Sequence, residues 1–266
     1  MRHLWPRRDA DPDRLAVTVD GVGGRALPFG EELQGLKMDA RFFLKQRTTF
    51  IRFYFESCVK SFEEIRTCIE NGLPPYDSPP YSEDGEPAYL EDWLDTNTAE
   101  QILGLTCVSL LSDSLKLYFQ TLQRRVIGFE FEDKKSAFKN GFVHAYLRSV
   151  GEILETDWSD CPANIDVIEQ IVLTRNRGHH GADLTSFEVT HDKRTLEKYP
   201  QPFFTSADEW EDWFRIDGAL TSFLLPSIKI TQSSLFSAID QVEALVEWID
   251  GRMGKASDWR MRQPTL

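Results

Sequence analysis

Apolar residues recur at spacings of three and four along most of the chain, which predicts helices and almost no strand. Between about 31 and 71, Ile51, Phe55, Val59, Phe62, Ile65 and Ile69 fall on one helical face, and Gly72 followed by Pro74-Pro75 stops the run. The strongest pattern spans about 98–126, with Leu103, Cys107, Leu111, Leu115, Tyr118, Leu122 and Val126 as its stripe. Thr98 with Gln101 three residues on reads as a capping box opening that helix. The stripe is broadened by Leu105, Val108, Leu110, Leu117 and Phe119, so this helix is expected at the centre, with Gly104 at a close helix contact. A third helix is predicted over about 136–155, with Phe142, Ala145, Tyr146, Val150, Ile153 and Leu154 inward. A shorter fourth starts near Asn164, places Ile165, Ile168, Ile171 and Val172 inward, carries Arg175 on its last turn and can break at Gly178. A fifth covers about 231–252 behind an N-cap at Thr231, with Leu235, Ile239, Val242, Val246 and Ile249 buried.

Elsewhere the periodicity fails. Residues 1–30 hold three prolines and four glycines between 21 and 30, with only Leu15 to Val19 strand-like, and are expected to form an irregular arm. Residues 73–87 read as a linker or long loop. Residues 182–226 read as a loop-rich insertion in which Trp210, Trp213 and Phe214 suggest one short amphipathic helix, and 256–266 reads as a tail. The expected organisation is therefore an all-α bundle of about five main helices over 31–255, decorated at both ends.

Length and composition narrow the class. At 266 residues with 41% hydrophobic and 27% charged positions, the chain has the composition of a soluble globular protein. No stretch approaches 18 uncharged apolar residues, and no apolar run follows Arg2, Arg7 and Arg8, so neither a membrane span nor a secretory signal is expected. Cys58, Cys68, Cys107 and Cys161 form no Cys-x-x-Cys pair and read as free thiols of a reducing, cytoplasmic compartment. The net charge of −13 speaks against broad nucleic-acid binding. It is unevenly spread: residues 115–150 carry seven basic and three acidic residues, whereas 151–266 carry eleven basic and twenty acidic. A local basic patch that includes Lys139 and Arg148 can hold one phosphate track, or it can merely solvate a helix pair.

The sharpest chemistry is the run Arg175-Asn176-Arg177-Gly178-His179-His180. Arg175 shares a helical face with Ile168, Ile171 and Val172, so it points along the packed side of its helix. It cannot shed its charge there and needs an anion, either a carboxylate such as Asp166 or Glu169 or a phosphate. A histidine one turn on can transfer a proton near neutral pH. Arginine and histidine together suffice for attack of a ribose 2′-hydroxyl on the adjacent phosphate, the arginine offsetting charge on the phosphoryl oxygens. The same residues also fit a plain helix end, in which the arginine pairs with an acid and the histidines cap the last carbonyls. A metal site built from His179, His180, Asp183 and His191 is disfavoured, because adjacent histidines rarely both reach one ion and no cysteine joins them. The acidic pairs Glu63-Glu64, Glu91-Asp92 and Glu211-Asp212 read as solvated surface, and the glycines at 21–24 lack the lysine and helix of a phosphate loop.

Arg175, Asn176 and His180, with four residues between arginine and histidine, at the end of an Ile-Val-Leu-Thr helix, resemble the signature motif of the HEPN superfamily. Gly181 after the histidine and the order of the surrounding helices are similar too. The resemblance covers about 98–181 well, 231–252 loosely, and 1–30 and 182–226 hardly at all. It implies a HEPN-like bundle and a metal-independent endoribonuclease, with no cofactor, built across a homodimer. Arg175 would contact the phosphate, His180 would serve as general acid or base, and Asn176 would hold the backbone or the scissile phosphate. Arg177 and His179, with Lys139 and Arg148, would bind substrate. His179, four residues after Arg175, competes with His180 for the catalytic role if the helix stays unbroken. Such proteins commonly act as toxins or defence effectors with RNA as target and a protein antitoxin or defence partner. Some members carry a tyrosine two residues after the motif histidine as a modification target; Ala182 stands there in this chain. The alternative is a non-catalytic helical interaction protein that binds RNA or a partner protein, including an antitoxin-like protein whose acidic surface masks a basic one.

Overall fold

The computed structural model describes residues 39–81, 85–179, 187–206 and 225–263, all within one compact unit, Met38–Leu266. Among the described residues the structure is all-helical and has no strand; Thr190 and Ser227 form one isolated bridge. The arm at 1–30, the strand-like run at 15–19, and Trp210, Trp213 and Phe214 lie outside the described residues.

Helix α1 (Ala40–Asn71) begins at Asp39, whose carboxylate accepts from the Phe42 amide at 2.8 Å, and ends at Gly72 in the left-handed region. The glycine turn lets the Leu73 amide return to the Cys68 carbonyl at 2.9 Å, which closes the helix end. At 32 residues α1 is roughly 48 Å long at 1.5 Å per residue. Its buried positions are Leu44, Thr48, Ile51, Phe55 and Val59, whereas Phe62, Ile65 and Ile69 are only half-buried. The far end of the predicted stripe thus lies at the rim of the bundle.

Helix α2 (Leu90–Thr121) is the central element, with α1, α5 (Ile165–His179) and α7 (Gln232–Asp250) packed on it. It starts eight residues before the expected capping box at Thr98, with Glu91 and Asp92 in its first turn, where negative charge meets the positive end of the helix. Thr98 is inside the helix and turns its hydroxyl back to the Leu94 carbonyl at 2.9 Å, the other bond a threonine can make locally. Gln101 instead accepts from the Ile230 amide at 3.4 Å. The predicted stripe is buried from Leu103 through Leu122. A Cβ on Gly104 would lie 2.8 Å from the Cβ of Ile230, so the close contact expected there is real, but its partner is the segment leading into α7. The helix continues through a π turn, Leu122–Ile127, and stops at Gly128 with φ 76°. By length and composition, 90–127 is apolar enough to cross a bilayer; 56% of its most apolar window is buried inside the bundle.

The helix expected at 136–155 is split. A short α3 (Lys134–Ala137) and a 3-10 turn (Phe138–Asn140) end at Gly141, whose φ of 91° breaks the run before α4 (Phe142–Leu154). Ala145, Tyr146, Val150, Ile153 and Leu154 are buried as predicted. Tyr146 stacks on Phe119 with centroids 5.1 Å apart and donates its hydroxyl to the buried Gln123 at 2.7 Å. Helix α6 (Lys193–Lys198) lies in what reads as loop, capped by Asp192. Helix α7 carries the predicted Thr231 cap, reinforced by Ser234, and its whole predicted stripe is buried. Residues 256–262 are not a tail: they belong to α8 (Met253–Arg262), anchored by Ala256 and by an Arg260 bond to the Ile127 carbonyl at 3.1 Å.

All four cysteines are free, and burial, aided by Cys58, pushes the Cys107 thiol up to about 12, so that group stays protonated at neutral pH. One surface is unlike the rest. Phe42, Phe43, Phe50 and Phe53 project from α1 more than half exposed, and Leu117 of α2 is nearly so. Phe43 and Phe50 border a groove with Arg47 of α1 and Leu110 and Ser114 of α2.

Candidate functional site

Helix α5 owes its start to Asn164, whose side-chain oxygen accepts from the amides of Asp166 at 3.0 Å and Val167 at 3.3 Å. Ile168 and Ile171 are buried completely against the core and set the rotation of the helix. That rotation brings Arg175, one turn after Ile171, to the margin of the packed face, as its spacing predicts.

The carboxylate beside Arg175 is neither Asp166 nor Glu169. It is Asp113 of α2, with Nη2 3.5 Å from Oδ1 and the side chains 33% and 49% exposed. A pair this long and this open contributes about 1 kcal/mol or less. The other terminal nitrogen, Nη1, lies 3.3 Å from the Asn176 side-chain oxygen. Nε is buried and has no acceptor among the described residues. The guanidinium is thus buried at its Nε edge and loosely paired at its terminal nitrogens.

Helix α5 does not break at Gly178. It runs on to His179, and Gly178 sits against α2, where an added Cβ would come 3.3 Å from Leu105 Cδ2. His180, Gly181, Ala182 and Asp183 lie outside the described residues. Arg177 points the other way and donates from Nε to the Thr190 carbonyl at 2.9 Å, pinning the chain that follows the motif. His191 is buried, its Nε2 at 2.9 Å from the Thr205 hydroxyl and 3.2 Å from the Phe204 carbonyl.

Beside the motif, α5 and α6 enclose a cleft of about 430 Å³ lined by Glu169, Leu173, Asn176, Arg177, Asp192, Arg194, Thr195 and Lys198. Glu169 accepts from Lys198 at 2.5 Å and faces the His144 imidazole at 2.9 Å. Burial works to raise its carboxyl, but the Lys198 hydrogen bond and the charges of Lys198 and His144 prevail and hold it below its ordinary value of 4.5. A carboxyl depressed on folding stabilises the fold fully above its ordinary value and loses that contribution as pH falls through the folded value. Acid titration of the wild type should therefore show a steeper loss of stability below about pH 4.5 than Glu169→Gln shows. Chemical denaturation at stepped pH measures this, and parallel acid limbs for the two proteins would refute it.

Of the predicted substrate-binding residues, Arg177 lines this cleft. Lys139 sits on the exposed 3-10 turn before α4, and Arg148 pairs with Glu152 at 3.1 Å on the outside of α4; neither lines the cleft. Sequence reasoning passed over Asp113, His144, Arg194 and Lys198. No local spacing marks them, because they come from α2, α4 and α6 and meet α5 only in the folded chain. The chain matches no family model, no curated protein and no solved structure.

Proposed function

We propose that this chain is a HEPN-type endoribonuclease that acts without a metal ion, as a homodimer in the cytoplasm, and serves as a toxin or defence effector. The observation that carries the reading is the state of Arg175. It stands at the last turn of α5, partly exposed, with a weak partner in Asp113 and Asn176 at its side. A phosphodiester oxygen would give it the strong, charge-assisted partner that it lacks. In the reaction the 2′-hydroxyl attacks the adjacent phosphorus, the bond to the 5′-oxygen of the next nucleotide breaks, and a 2′,3′-cyclic phosphate is left. A histidine of the 179–180 pair takes or returns the proton, and Arg175 offsets the charge on the phosphoryl oxygens.

Purified protein is expected to cut RNA in EDTA and leave 2′,3′-cyclic ends. His179→Ala and His180→Ala, tested separately, identify the working histidine. Unchanged cutting in the double histidine variant would end the assignment.

The exposed phenylalanines support the dimer. On α2, Asp113 lies one turn beyond Leu110 and one turn before Leu117, so the apolar strip runs up to the Arg175 pair. A face of this kind on a soluble protein marks an interaction surface. Phe50→Glu with Phe53→Glu is expected to convert a sedimenting dimer into a monomer, and a wild type that sediments as a monomer at every concentration would remove the dimer from the proposal.

The non-catalytic reading has one observation in its favour: Arg175 does have a carboxylate beside it, in a chain of net charge −13. On that reading the bundle binds RNA or a partner protein, and no cleavage is seen under any condition.

A further inference from the structure

The α5–α6 cleft holds charge that the fold does not use. Its two carboxylates are both committed. Glu169 is bound by Lys198 and faces His144, and Asp192 caps α6 by accepting from the Thr195 amide at 2.8 Å. Against them stand Lys198, which is spent on Glu169, Arg177, which donates to the Thr190 carbonyl, and Arg194. Arg194 is exposed and has no ion-pair or hydrogen-bond partner for its side chain among the described residues. A lone surface arginine means little, but this one opens into a concavity of about 430 Å³ that a second arginine also lines. That volume lies in the range of roughly 300–1,000 Å³ usual for ligand clefts.

The cleft is also joined to the motif. Asn176 lines it and at the same time faces Nη1 of Arg175 at 3.3 Å. Asn176 is therefore the side chain that the cleft and the Arg175 guanidinium share.

We propose that this cleft is a second phosphate seat, which grips the RNA backbone beside the scissile linkage. The inference rests on the ribonuclease reading and adds to it a substrate-positioning subsite in which Arg194 is the principal contact and Lys198 and Arg177 supply the field. Planar guanidinium groups match phosphate oxygens in pairs, which favours a phosphate backbone over an acidic peptide. The net charge of −13 repels polyanions from the rest of the surface, so a local basic cleft decides where a strand can lie.

The test uses the full chain and a fluorescent single-stranded RNA with 2′-O-methyl groups, which cannot be cut by 2′-hydroxyl attack, so that binding is read apart from chemistry. Arg194→Glu is expected to weaken binding roughly tenfold and to lower the slope of log K against log salt by about 1. Arg194→Lys should restore most of the slope, and Lys60→Glu on α1 should bind as the wild type does. Circular dichroism checks that each variant is folded. Wild-type affinity and slope in Arg194→Glu would overturn the proposal, as would displacement of the probe by a polyglutamate peptide as readily as by unlabelled RNA. The two readings fail separately. If the wild type cleaves ordinary RNA but Arg194→Glu binds normally, the cleft falls and the nuclease stands. If binding depends on Arg194 and nothing is cleaved, the cleft stands and the nuclease falls.

Discussion

Arg175→Ala is expected to lower RNA cleavage by about 10²–10³-fold, the loss typical of removing one group that stabilises transition-state charge, while the thermal unfolding curve barely moves. The expectation of a large kinetic effect with a small stability effect comes from the same geometry. Arg175 makes one long, half-exposed ion pair to Asp113 and one contact to its neighbour Asn176, and its Nε is buried without an acceptor. Removing the side chain forfeits about 1 kcal/mol or less from the pair and relieves a buried donor that had no partner, so the two changes offset. A structural arginine would behave in the opposite way, with stability falling and activity following it. Arg175→Lys should recover only part of the rate, because a point charge cannot match two phosphoryl oxygens at once. Cleavage at the wild-type rate by Arg175→Ala would refute the Arg175-centred site, whatever the fold.

Phe119→Ala is the substitution expected to harm the fold most, by about 3–5 kcal/mol. Phe119 is fully buried where α2 meets α4, its ring stacked on Tyr146 at 5.1 Å with 8° between planes. Tyr146 is in turn surrounded by Phe129, Phe131 and Phe138. Truncation at the centre of this aromatic cluster leaves a void that the flanking rings cannot close without losing the Tyr146–Gln123 hydrogen bond. Since a domain's total stability is about 5–15 kcal/mol, the urea midpoint should drop sharply with an unchanged slope. A shift smaller than about 1 kcal/mol would mean that the α2–α4 cluster is not a cooperative part of the core.

The helical class and most buried stripes were legible because burial repeats with the turn of the helix. Leu103 through Leu122 and Leu235 through Ile249 are cases in which pattern and packing agree. Boundaries were less legible. Thr98 has the right chemistry for a cap, but its hydroxyl can bond back one turn as well as forward, and acidic residues upstream carry the helix on to Leu90. Gly178 reads as a stop, yet a glycine is also what lets α5 approach Leu105 closely, and packing decided between the two. Helix α6 is too short to show a period. At the site, Arg175, Asn176 and Arg177 were visible as one run, whereas the groups that face them were not. Asp113, His144 and Lys198 are brought in by tertiary contact, and the carboxylate that faces Arg175 belongs to α2 and not to its own helix.

The motif helix packs along α2, with Gly178 against Leu105 near one end of the contact and Arg175 facing Asp113 near the other. These lie roughly 12 Å apart along α2, eight residues at 1.5 Å each. The Arg175–Asp113 pair is too weak to fix the helix; the buried Ile168 and Ile171 and the close approach of Gly178 to Leu105 hold it against twisting and sliding. The arginine is therefore presented on a fixed mount, and accommodation to a bound strand falls to its own side-chain torsions.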